Sequence, residues 1–169
     1  MKKIFSLLLI AALTFTLCSC GGKEETPSSS ADTSASAEAV SLSAEESAEQ
    51  LLSQVEANAD LEKSEFPLIT LEKYDVDTSG VSDICWYVGS GASADELAVI
   101  VCADSETLAS VKAAINSRIE YLRDGYSDYG PDQVPKIDSA LVAEYGNTVV
   151  YCICEDSAAA KTAADSIFA

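Results

Sequence analysis

The chain has 169 residues, no histidine, and 28 acidic against 10 basic side chains, a formal net charge of −18. That balance argues against nucleic acid as a partner, because such binding depends on basic groups displacing phosphate counterions. The missing imidazole excludes Ser-His-Asp and Cys-His arrangements, His-ligated zinc and the His-Glu-x-x-His metallopeptidase motif within the chain.

The N-terminus has the layout of an export signal: Lys2 and Lys3, a largely apolar run from Ile4 to Leu17, then small residues. At 14 residues the run falls short of the about 20 that span a bilayer as a helix. Leu17-Cys18-Ser19-Cys20 resembles the lipobox of bacterial lipoproteins, with a branched residue three before the last cysteine and a small one just before it. The resemblance implies a signal peptide over 1–19, a diacylglyceryl group on the Cys20 sulfur and cleavage before it. The alternative is an ordinary cleaved signal or an uncleaved anchor. Two or more acyl chains make anchoring stable. The expected place is therefore the extracytoplasmic face of the cell membrane, held there through the lipid alone. Losing Lys2 and Lys3 makes the mature chain two units more negative, which disfavours lying flat on anionic lipid.

Residues 20–42 are rich in Ser, Ala and Glu and read as a disordered tether. A flexible coil of that length spans on the order of 25 Å. Residues 43–169 suit a single domain with one core. It opens with Ser43-Ala44-Glu45-Glu46, a capping-box pattern, and Ala48, Leu51, Leu52, Val55 and Ala59 follow at helical spacing. After a connection containing Pro67 come two apolar runs, Ile84–Val88 and Leu97–Cys102, joined by a hairpin loop at 89–93. The second run is apolar on both faces, as a central strand is. Asp104 or Ser105 can cap a long helix whose buried stripe is Leu108, Val111, Ile115, Ile119 and Leu122, ended by Gly125 and the Pro131 region. Residues 140–145 and 148–154 flank Gly146-Asn147 and predict a second hairpin, and an Ala-rich helix runs from Ser157 to Phe168. The order α-β-β-α-β-β-α predicts an α+β domain, a two-layer, mainly antiparallel sheet of about four strands with packed helices.

The segment Gly91-Ala92-Ser93-Ala94-Asp95-Glu96-Leu97-Ala98-Val99-Ile100, the long helix after it and the Tyr145-Gly146-Asn147 hairpin resemble an uncharacterised lipoprotein family of low-GC Gram-positive bacteria, a domain of unknown function. The likeness runs from about Leu61 to Phe168. It implies location and architecture, and supplies no catalytic residues.

Four cysteines fall inside predicted strands: Cys85, Cys102, Cys152 and Cys154. A disulfide or thiol role would use Cys152 and Cys154, which share one face, or join one of them to a neighbouring strand. No Cys-x-x-Cys occurs, and no helix start is expected close enough to lower a thiol pKa. Buried cysteine acting as a small hydrophobe is the preferred reading. The loop Asp75–Asp83 places oxygen ligands at positions 1, 3, 5 and 9 of an EF-hand-like pattern, but Trp86 stands where the bidentate glutamate belongs. It reads as an acidic turn, and no metal or cofactor is expected. No Ser-x-x-Lys or Gly-x-Ser-x-Gly motif is present, and Gly89-Ser90-Gly91 lacks the third glycine of a nucleotide loop. Lys112, Asn116, Glu120 and Arg123 read as a solvated stripe with a Glu120–Arg123 contact.

Asp124, Tyr126, Asp128, Tyr129 and Asp132 fall after the predicted end of the long helix, where tyrosines beside carboxylates can grip a sugar or peptide. The competing reading buries the rings and leaves only hydroxyls wet. The expected function is a non-enzymatic interaction module at the cell envelope, with a protein or cell-wall partner and without a deep polar pocket of shifted pKa values. The alternative is an extracytoplasmic enzyme or redox protein using carboxylates or the strand cysteines.

Overall fold

The structure, a computed structural model, describes residues 42–57 and 61–169; the signal, the Cys20 site, nearly all of the tether and Ala59 lie outside the described residues. Helix α1 (Ala44–Leu52) starts as its capping box dictates. Ser43 Oγ accepts the Glu46 N–H at 3.2 Å, and the Glu46 carboxylate accepts the Ser43 N–H at 2.9 Å. The helix ends before Val55, where Ser53 turns its hydroxyl onto the Gln50 carbonyl at 2.7 Å, a side-chain bond that competes with further helix.

Strand β1 (Glu62–Lys63), helix α2 (Pro67–Glu72), strands β2 (Val81–Val88) and β3 (Glu96–Cys102), and helix α3 (Ser105–Tyr129) follow in order. Helix α4 (Val134–Asp138), strands β4 (Leu141–Tyr145) and β5 (Thr148–Ile153) and helix α5 (Ser157–Phe168) complete the domain. The sheet order is β1-β2-β3-β5-β4, antiparallel throughout. The α+β class thus holds, with β3 central as its two apolar faces require. The fifth strand, β1, is two polar residues pairing with Val88 and Tyr87 and has too little alternation to be read from sequence.

Helices cover both faces, which makes three layers where two were expected. On one face Trp86, Ile100, Val149 and Tyr151 pack with Leu108, Val111, Ile115 and Leu122 of α3 and Ile137 of α4. On the other, Cys85, Val99, Val150 and Cys152 pack with Ala48 and Leu51 of α1 and Ala160 and Ala163 of α5. The physical cause lies in β3 and β5, whose residues are apolar on both sides and need cover on both. Trp86 meets Tyr151 edge-on, ring centroids 5.8 Å apart. The β4–β5 turn uses Gly146 at φ +59, the sign the first central residue of a type II′ hairpin takes.

Helix α3 runs through Gly125 and stops at Gly130, ahead of Pro131. A glycine on its exposed side costs about 1 kcal/mol relative to alanine, less than the buried rings and side chains of Tyr126 and Leu122 return. Asp104 caps the helix through the Thr107 N–H at 2.8 Å. Arg123 pairs with Asp138 at 3.0 Å, not with Glu120, and Lys112 with Glu144 at 2.8 Å. Among the described residues no helix is long and apolar enough to cross a membrane.

Candidate functional site

Buried charge is costly unless paired. Among the described residues Asp95, Glu96 and Lys136 are the buried charged side chains, and they gather at one end of the sheet. The β2–β3 connection builds one wall. The Gly89 N–H donates to the Asp95 carbonyl at 3.0 Å, closing the loop. Gly91 takes φ +86, a conformation glycine adopts without strain, and its carbonyl accepts the Tyr126 hydroxyl at 3.0 Å. The Ala94 N–H donates to Gln133 Oε1 at 3.2 Å, tying the loop to the segment before α4.

Two charge pairs lie beside this loop. Lys136 Nζ lies 3.0 Å from Asp95 Oδ1 and 3.3 Å from Glu155 Oε1, and donates to Ser93 Oγ at 3.2 Å. Ser93 in turn donates to the Asp95 carboxylate. Asp95 Oδ1 accepts no well-aligned hydrogen bond, so the ammonium meets it mainly as a charge. Beside it, Arg118 grips Glu96 with two nitrogens, Nε at 3.3 Å, while the Tyr151 hydroxyl donates to Glu96 Oε2 at 3.2 Å. Burial disfavours the Arg118 charge, but the Glu96 carboxylate outweighs it and holds the guanidinium protonated more firmly than usual. Arg118 also lies over the Tyr121 ring, 5.6 Å from its centroid.

Ser93, Asp95, Glu96 and Arg118 reach a cavity of about 280 Å³ that Tyr126 and Tyr129 also line. It is close to the lower size limit, roughly 300 Å³, of small-molecule sites. Apolar Val88, Ala94 and Leu122 complete the lining, so the polar groups occupy only part of the wall. Burial, reinforced by neighbouring Tyr129, pushes the Tyr126 phenol up to about 12. The charged groups are already neutralised in pairs. Lys136 sits between two carboxylates and donates to Ser93 Oγ. The Asp95 carboxylate that accepts the Ser93 hydroxyl is itself held by Lys136, so the group facing the serine is engaged in a charge pair.

The tyrosine–carboxylate cluster is divided. Tyr126 is buried, whereas Tyr129 is 67% exposed at the pocket mouth, the two rings 4.9 Å apart. Because α3 continues past Gly125, these residues lie on a helix and not in a loop. At about 100° per residue, Asp124 and Asp128, each two positions from Tyr126, point to the opposite side. Asp132 sits in the turn after α3 and accepts from Gln133 Nε2 at 3.0 Å.

The acidic residues before β2 and at its start also serve the backbone. Asp77 accepts the Ser79 N–H at 3.0 Å, and Asp83 accepts the N–H groups of Ala44 at 2.8 Å and Ile84 at 2.9 Å. A second cavity, about 260 Å³, lies at the start of α3 between Asp77, Asp104 and Glu106. Among the described residues no three Cys, Asp or Glu side chains converge to hold a metal ion.

All four strand cysteines are buried free thiols. Burial pushes Cys85 and Cys102 up, as for inert core thiols. Cys154 donates its S–H to the Asp156 carbonyl at 3.4 Å, and the proximity of the Cys152 and Cys154 thiols raises Cys152 and lowers Cys154. Helix α5 begins at Ser157, as expected, with Asp156 as its cap.

Sequence reasoning missed Ser93, Asp95, Glu96, Arg118 and Lys136 as a group. One signal was available: Arg118 falls on the buried stripe of α3, three after Ile115 and four before Leu122, where an apolar residue is expected.

Residues 69–154 match the model of a family described as a domain of unknown function, DUF4358. The matched span holds all the sheet strands except β1, and includes Ser93, Asp95, Glu96, Arg118 and Lys136. No curated protein and no solved structure matches the chain.

Proposed function

The chain belongs to the DUF4358 family, a domain of unknown function, and from that premise we propose that it is a lipid-anchored extracytoplasmic lipoprotein whose domain binds a cell-envelope partner without catalysing a reaction. The observation that carries the binding reading is the pocket under the β2–β3 loop. Its wall carries charged groups already paired with one another and its mouth presents an exposed tyrosine, features that suit holding a ligand. An acidic chain on a tether of about 25 Å can reach such a partner while clear of anionic headgroups. Anchoring rests on Leu17-Cys18-Ser19-Cys20.

Two measurements test the two halves. Fatty-acid labelling of intact cells should mark the chain and be lost in Cys20→Ala, with the variant released from the membrane; unlabelled wild-type chain would end the anchor reading. A photo-crosslinking residue at Tyr129 should give a discrete adduct on cells, and one at exposed Lys161 on α5 should not. Adducts from Lys161 alone would move the contact surface away from the pocket.

A further inference from the structure

Gly125 is exposed inside the 25-residue helix α3, one turn before its end, where alanine would hold the backbone better. No packing within the chain asks for a glycine. A Cβ at this position would meet only the Tyr129 ring, at an ordinary 3.7 Å. Residues four apart on a helix are surface neighbours, so Tyr121, Gly125 and Tyr129 form one row along α3. Tyr121 is 65% exposed and Tyr129 67%. Their separation along the helix axis is about 12 Å, with the glycine between them.

Each of these rings is held from one side. Arg118 lies over the Tyr121 ring, 5.6 Å from its centroid, and buried Tyr126 backs Tyr129 with ring centroids 4.9 Å apart. Rings held in this way lose little freedom on binding, so their solvent faces are ready platforms. Arg118 and Tyr129 also line the pocket under the β2–β3 loop, which joins the row to the pocket.

We infer that this joined surface holds a neutral, extended β-1,4-linked glycan, a ligand class that rests on the binding role proposed for the pocket. Sugar rings stack on Tyr129 and Tyr121, and the strand passes over Gly125. A pyranose with equatorial hydroxyls has an apolar C–H face and a polar rim, and the site offers both matches. The tyrosine faces take the first. Arg118 and Glu96, paired through two guanidinium nitrogens, set N–H donors beside carboxylate acceptors for the second, with the Arg118 side chain 21% exposed. A charged ligand fits worse, because the Arg118–Glu96 and Lys136–Asp95 pairs are already closed and a net charge of −18 repels anionic polymers. A peptide anchor residue wants a fully desolvated pocket, whereas Val88, Ala94 and Leu122 share this lining with the ion pairs. At about 280 Å³ the cavity suits one ring, so the rest of the strand lies along the tyrosine row. A methyl group at position 125 would lift that strand from the helix. The glycine thus gives up helix stability for clearance.

The test is calorimetric titration of the full chain, in a detergent without a sugar headgroup, with β-1,4 oligomers of N-acetylglucosamine and of glucose. Affinity for at least one series should rise about tenfold from dimer to tetramer, as the ligand comes to reach both tyrosines. Tyr121→Ala should remove that dependence on length. Gly125→Ala should raise the urea midpoint yet weaken tetramer binding, a combination that a purely structural glycine does not give. No heat from either series, affinity independent of length, or a stabilised Gly125→Ala chain that binds tetramer as the wild type does would each overturn the glycan. Crosslinking from Tyr129 separates the two levels of failure. A protein adduct on cells, with no heat from either series, leaves the pocket as a contact surface and removes the glycan; neither adduct nor heat removes both.

Discussion

Lys136 Nζ lies 3.0 Å from Asp95 Oδ1, with the two side chains 5% and 0% exposed, so each ion is the other's main compensation inside the domain. Removing one partner of a buried pair leaves an uncompensated charge and costs about 3–5 kcal/mol. Lys136→Met is expected to lose stability on that scale in urea unfolding followed by Trp86 fluorescence. Adding Asp95→Asn removes the stranded charge and should recover more than half of the loss. A double variant no more stable than the sum of its singles would show that the two groups are not coupled.

Acid sensitivity follows from the helix caps. The Thr107 N–H holds the Asp104 carboxyl below its ordinary 3.8, the Ser79 hydroxyl and N–H do the same for Asp77, and the Ser43 N–H lowers Glu46 from 4.5. Each folded value is depressed, so its contribution is present above the ordinary carboxylate value and is lost as pH falls through the lower folded value. Stability should therefore drop as the pH falls below about 4. Asp104→Asn keeps an acceptor for Thr107 but does not titrate, and should flatten that limb of the urea-midpoint profile. An unchanged acid limb would assign the loss to other groups.

At the alkaline end the sign reverses in origin. Tyr126 is raised from 10.0 to about 12 by burial, so the neutral phenol favours the fold; this contribution is intact below 10.0 and is lost as pH rises through about 12. Tyr126→Phe should cost about 1 kcal/mol at neutral pH through the bond to Gly91, yet lose less between those two values. Tyr151, raised in the same direction, keeps the alkaline loss from vanishing. Phenolate absorbance read beside the unfolding midpoint checks the order of events.

Gly91 has open space where a Cβ would go, with nothing within 4 Å, but its φ is +86. Any cost of Gly91→Ala is thus backbone strain alone, about 1–2 kcal/mol. Gly91→Asn, which tolerates left-handed backbone better, should lose less. Equal stability of all three chains would mean that the loop relaxes to another path.

Much of the fold is local and so was legible. The Ser43–Glu46 capping box, the Asp104 cap, the Gly146-Asn147 hairpin and the bounds of α5 each depend on residues within a few positions of one another. Periodicity likewise marks the faces of α3 and the doubly apolar β3. Reading Gly125 as a helix end failed because its propensity cost is small beside the burial of the next turn, and that misplaced the tyrosine cluster.

The sequence by itself determined the three longer helices and the four longer strands, their order and the α+β class, since hydrogen bonds and side-chain period act over one or two turns. Tertiary structure alone decided that helices cover both faces, that Lys136 meets Asp95, and that Arg118 meets Glu96. The physical reason is desolvation: a charge is driven to a partner only once packing removes its water, and which partner it finds depends on sheet order and helix placement, not on sequence spacing.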